Sequence, residues 1–163
     1  MGKVILAFVA GAIVGSGLTI GIAVTVWFSG VLEDPEGMAI RCSYPEKAVV
    51  GQPFALEVTV ENERADEPIR VSSIDIAQGL LDGLVVEASD PPHASAMTLP
   101  LEQGCSYGYD EEIPTGGSRT FVFTMRPAAT GMAHGDIDVC EGDRFKTTVA
   151  QIYIRPADDA DGP

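Results

Sequence analysis

The sequence predicts an all-β sandwich of about seven strands preceded by one transmembrane α-helix. Three observations carry that prediction. Residues Val4 to Leu32 contain no charged side chain. Beyond Glu33 the apolar residues recur at every second position, the period of a half-buried strand. Clusters of Gly, Pro, Asn and Asp separate those runs at a spacing of roughly ten residues, as in sandwiches built of short strands.

The first element is the anchor, expected over residues 1–32, with residues 4–28 in the bilayer. A helix of this length, at about 1.5 Å per residue, exceeds a hydrocarbon thickness of roughly 30 Å. Trp27 and Phe28 fall at its far end, where aromatic rings sit at lipid headgroups. The run is longer than a signal-peptide core, and Trp27 to Val31 offers no small-x-small cleavage site, so it reads as uncleaved. Gly2 lacks the Ser or Thr four positions on that myristoylation wants, since Leu6 stands there. Lys3 precedes the helix and Glu33, Asp34 and Glu36 follow it, which puts the amino end in the cytoplasm and the rest outside. Gly11 with Gly15, and Gly17 with Gly21, match the GxxxG spacing that lets two helices approach closely. Two explanations fit them: a homodimer or membrane-complex contact, or the ordinary frequency of glycine in membrane helices.

A short linker, 33–37, leads to a domain over 38–155 and an acidic tail, 156–163, without apolar content and expected to be disordered. Residues 33–163 hold all 24 acidic residues and nine of the ten basic ones, a formal excess of 15 negative charges. Such a domain repels phosphate backbones and anionic lipid, which excludes nucleic-acid binding. It attracts basic partners and, weakly, divalent cations.

The strands follow in order. Met38, Ile40, Cys42 and Tyr44 mark the first, and Phe54, Leu56, Val58 and Val60 alternate with Ala55, Glu57, Thr59 and Glu61 in the next. Ile69 and Val71 share one phase while Ile74 and Ile76 share the other, so the slip at Ser72–Ser73 predicts a bulge. Leu84–Glu87, Thr120–Arg126, Asp136–Cys140 and Phe145–Ile154 complete the set, with one helical turn over Gln78–Asp82.

The run Val50-Gly51-Gln52-Pro53 followed by the alternating strand Phe54 to Asn62 resembles the second strand of bacterial immunoglobulin-like domains. Ile113-Pro114-Thr115-Gly116-Gly117-Ser118 before the strand at Thr120, and Gly131 to Val139 before the last strand, resemble later parts of the same fold. The resemblance implies an immunoglobulin-like β-sandwich used in bacterial envelopes for spacing, adhesion or assembly. It brings no catalytic residues.

Three cysteines, Cys42, Cys105 and Cys140, permit one disulfide in an oxidising compartment. Cys42 shares a face with Met38 and Ile40 and reads as a buried thiol. Cys105 reads as a loop residue and Cys140 as a strand end, and a Cys105–Cys140 bridge is the preferred pairing, against three free thiols. His93 and His134 fall in no metal-binding pattern. The one candidate metal site is a weak calcium site of Asp136, Asp138, Glu141 and Asp143, carboxylates around a glycine turn that match no EF-hand order. Asp110, Glu111 and Glu112 read as a solvated loop. No nucleophile, base and oxyanion donors assemble from the sequence, so the expectation is a protein without catalysis or cofactor. The expected function is a membrane-anchored extracytoplasmic module in contact with an unknown protein at the cell envelope. The alternative is a small membrane-complex subunit held by its glycine-rich helix, with the sandwich as a cap.

Overall fold

The computed structural model describes residues 34–100 and 103–158. The anchor expected over 1–32, with Gly11, Gly15, Gly17 and Gly21, lies outside them. Among the described residues no helix is long and apolar enough to cross a membrane.

The described residues form ten strands and one short helix: β1 (Met38–Ser43), β2 (Lys47–Val49), β3 (Phe54–Asn62), β4 (Ile69–Ala77), α1 (Gln78–Leu81), β5 (Leu84–Asp90), β6 (Ser95–Thr98), β7 (Gly104–Ile113), β8 (Ser118–Pro127), β9 (Gly131–Glu141) and β10 (Arg144–Arg155). They form a four-stranded sheet, β1-β3-β8-β5, and a six-stranded sheet, β2-β10-β9-β4-β7-β6. All pairings are antiparallel except β2 with β10.

The expectation of about seven strands falls short by three. β2 and β6 are too short, at three and four residues, to show alternation. β7 was expected as polar loop around Cys105 and Asp110–Glu112. It is a ten-residue strand whose inward positions, Cys105, Tyr107, Tyr109 and Ile113, alternate with Ser and Gly before its acidic end.

The alternating residues meet between the sheets. Leu56, Val58, Val60, Phe121, Phe123 and Met125 project from one sheet, and Ile74, Ile76, Ile137, Val139, Ile152 and Ile154 from the other, each at most 1% exposed. Burying each such side chain stabilises the fold by about 1.5–3 kcal/mol before entropy is counted. Tyr109 packs edge-on to Phe121 at 4.8 Å between ring centroids, within the favoured aromatic range. The phase slip in β4 is present: pairing with β7 shifts register between Val71 and Ser73. That shift lets Ile69, Val71, Ile74 and Ile76 all face the core. After β10, Ala157 and Asp158 form a 3₁₀ turn at the start of the tail.

Candidate interaction surface

Strand β9 is the spine of two acidic regions that differ in every physical respect. Ile137 and Val139 face the core, so Asp136, Asp138 and Cys140 face outward from the six-stranded sheet. Register extends that outward row across the sheet. Asp138 lies opposite Thr147 of β10 on one side and Asp75 of β4 on the other. Asp75 lies opposite Ser106 of β7, and Ser106 opposite Met97 of β6. The row therefore reads Thr147, Asp138, Asp75, Ser106, Met97.

The two carboxylates are held from their flanks. The Ser106 hydroxyl donates to Asp75 Oδ1 at 2.6 Å, and the Thr147 hydroxyl to Asp138 Oδ1 at 2.6 Å. The Cys140 thiol donates to Asp75 Oδ2 at 3.7 Å. Side chains directly opposite on neighbouring strands have Cβ atoms about 4.5–5.5 Å apart, where like charges destabilise the pair. Burial pushes the Asp138 carboxyl above its ordinary range, and the charges of Asp136 and Asp75 add to that against the Thr147 bond. Six of the nine described cations pair with carboxylates, and none of them pairs with Asp75, Asp136 or Asp138.

Exposed apolar side chains lie on the same face as this row. Met132 and Tyr153 are direct cross-strand partners on the same face, and Val149 lies opposite Asp136. Met97, Met132, Val149 and Tyr153 are 62%, 55%, 51% and 47% exposed, and they make up four of the five large exposed hydrophobic residues described, Val85 being the fifth. From β10 to β6 the face crosses four interstrand spacings, about 19 Å.

Glu141 belongs to the other region. One residue beyond Cys140, it points away from that face and receives Arg64 from the β3–β4 loop at 2.9 and 2.5 Å through two guanidinium nitrogens. Arg64 also donates to the carbonyls of Glu36 and Pro68. Its guanidinium is held more firmly protonated than usual, chiefly by the Glu141 bond. Its backbone N–H donates to Asn62 Oδ1, while the Asn62 amide donates to the carbonyls of Glu67 and Ile113. Among the described residues Asn62 is the buried polar side chain, and these bonds tie it to the following loop and to the end of β7. Gly37 closes the arrangement at φ +67°, and a Cβ there would lie 2.7 Å from Arg64 Cγ. An open cleft of about 740 Å³ results, lined among others by Glu36, Glu63, Arg64, Glu67, Glu141 and Asp143.

This geometry corrects two expectations. The calcium group does not converge: Asp136 and Asp138 lie on the outer face, Glu141 is held by Arg64, and Asp143 sits in the β9–β10 turn at the cleft. Among the described residues no group of three or more His, Cys, Asp or Glu side chains is placed to hold a metal. The Cys105–Cys140 bridge is absent, and all three cysteines are free. β4 lies between β7 and β9, which separates the two strands by about 9.6 Å, beyond the roughly 7 Å limit between bridged Cα atoms. Cys105 also faces the core, opposite Ile76, while Cys140 faces out. Burial pushes the Cys42 and Cys140 thiols up to about 11.

His93 is less isolated than its sequence context implies. Ser89 Oγ accepts the His93 backbone N–H at 3.0 Å, and it lies 2.9 Å from both the Pro91 carbonyl and His93 Nδ1. The hydroxyl thereby closes the Asp90–Pro92 turn, and the ring packs edge-on to Tyr107 at 5.2 Å. His134 is exposed on the outer face opposite Gln151.

Two packed sheets with this strand order define an immunoglobulin-like β-sandwich, the fold implied by the resemblance. Comparison with one solved structure supports the same fold. A region of Escherichia coli alpha-2-macroglobulin in its native conformation aligns at TM-score 0.51 and 16% identity, over 74% of this chain and 7% of that one. A cohesin module from a Clostridium perfringens family 33 glycoside hydrolase aligns at TM-score 0.45 and 12% identity, over 73% of this chain and 97% of the module. The chain thus spans a small fraction of the macroglobulin's length, and likeness at this identity extends to the fold alone. No protein-family model matches the sequence, and no curated protein matches it.

Proposed function

We propose that this chain is a membrane-anchored extracytoplasmic module without catalysis, whose outer six-stranded face contacts another protein at the cell envelope. The observation that carries the reading is the gathering of Met97, Met132, Val149 and Tyr153 on one exposed face. Exposed apolar side chains collected on one face of a domain mark interaction sites. The uncharged run from Val4 to Leu32 supports the anchor, and Lys3 before it with acids after it supports the orientation.

The methionines provide the test. Met97 and Met132 lie on the face, whereas Met38 and Met125 are 1% and 0% exposed and serve as internal references. Hydroxyl-radical oxidation in native membranes, against the purified chain in detergent, is expected to protect Met97 and Met132 in the membranes. Equal oxidation in both preparations would contradict a covered face. Sidedness is read separately from Thr115→Cys, in the exposed β7–β8 turn. An impermeant maleimide should label it in intact cells, and labelling only after lysis would contradict the orientation.

A further inference from the structure

We infer that the outer face of the six-stranded sheet docks a basic, apolar segment of another polypeptide, with a Lys or Arg seated over Asp75 and Asp138. The inference rests on the docking reading above and specifies its partner. Charge complementarity decides the occupant. Asp75 and Asp138 oppose each other across the β4–β9 ladder with Asp136 two residues away, and no described cation pairs with any of them. Asp75 has both oxygens engaged, but Thr147 engages only Oδ1 of Asp138, leaving its second oxygen open to a donor. The free domain thus carries a like-charge opposition that an incoming cation relieves.

The other occupants fit worse. A second copy through the same face would add three more carboxylates to those already opposed. Anionic lipid and nucleic acid meet the same repulsion. A bare divalent cation lacks a ligand group among the described residues, and it would leave the exposed apolar side chains uncovered. A guanidinium or ammonium flanked by apolar side chains meets both halves of the face. Met97 lies two strands from Asp75 along the row, about 9.6 Å, and Val149 lies one strand and two residues from Asp138. The width of the face, about 19 Å, matches about six extended residues or thirteen helical ones.

The experiment selects displayed random dodecapeptides against the full-length chain in detergent micelles. Recovered sequences are expected to place Arg or Lys beside apolar residues. Synthetic copies should bind at least tenfold more weakly to D75N/D138N, and to M97S/V149S, while binding E63Q/E67Q as they bind the wild type. The last variant removes the same formal charge from the cleft end. Equal weakening by E63Q/E67Q would reduce the effect to general attraction and overturn the inference. Enriched peptides that depend on Met97 and Val149 but carry no basic residue would also overturn it, leaving the docking reading standing. No enrichment dependent on any of the four residues would overturn both. A measurement on the wild-type chain alone guards against misfolded variants: Arg→Gln in the peptide should cost at least tenfold, and an unchanged affinity would overturn the inference.

Discussion

Asp138 and Glu141 stand three residues apart on β9, yet the molecule treats their charges in opposite ways. Glu141 receives a two-point bond from Arg64, which itself ties Glu36, Pro68 and Asn62 into one network. Asp138 faces Asp75 across a ladder with hydroxyls at the flanks and no cation among the described residues paired with either. The difference teaches which acids hold the fold and which are left for something else. A partnered carboxylate that ties the end of β9 to the β3–β4 loop is structural. Two opposed carboxylates amid exposed apolar side chains cost the free domain stability, and such violations concentrate where a protein binds.

The comparison breaks first at the paired end. Asn62→Ala leaves the Glu67 and Ile113 carbonyls and the Arg64 N–H without their partner. It is expected to cost about 3 kcal/mol of unfolding free energy in a denaturant titration. Arg64→Ala removes the guanidinium bonds to Glu141, Glu36 and Pro68, and should cost about 2 kcal/mol because the pair is only partly shielded from water. A loss below about 0.5 kcal/mol for either, the range of ordinary surface changes, would make the network ornamental.

The unpaired region is sharpened by pH. The folded-state pKa of Asp138 is raised, so the folded chain binds its proton more tightly than the unfolded chain. Stability from this group therefore falls as pH rises from the ordinary carboxylate range through the raised value, and stays low above it. Asp138→Asn removes that slope. Its advantage over wild type, measured by thermal unfolding, should be largest at neutral pH and vanish below the ordinary carboxylate range. An advantage that grows on acidification would contradict the sign.

Thiol chemistry gives the smallest effect. With Cys42 and Cys140 titrating at about 11, both stay protonated at neutral pH and should react slowly with maleimide in the native chain. All three thiols should label rapidly on unfolding, with no mass difference between the reduced and non-reduced chain. A loss of two mass units before reduction would show a bridge.

Much of the fold was legible because strand alternation is a local signal. Phe54 to Asn62 and Thr120 to Arg126 declared their buried faces outright, and the two opposed isoleucine–valine phases around Ser72–Ser73 announced the bulge. β7 was missed because its inward residues are Cys and Tyr, weaker markers than Val or Ile, set between Gly and Ser. Their alternation from Cys105 to Tyr109 was the available signal. The candidate surface was half legible. Asp136 and Asp138 share a strand face in any reading, but Asp75 joins them only through the β4–β9 register, which no local pattern encodes. Arg64 was illegible for the same reason: a loop arginine shows nothing until the chain brings Glu141 and Glu36 to it.

The central claim is that Asp75 and Asp138 are kept apart from the fold's own charge pairing. It is tested most directly by the unfolding free energy of the D75N/D138N variant at neutral pH. Asparagine retains the Oδ1 acceptors for Ser106 and Thr147, gives up the long thiol bond from Cys140 to Asp75 Oδ2, and removes the opposed charges. A rise of up to about 1 kcal/mol is predicted from relief of the cross-strand repulsion. A fall of about 2 kcal/mol, matching that expected for Arg64→Ala, would make the two acids structural and contradict the account.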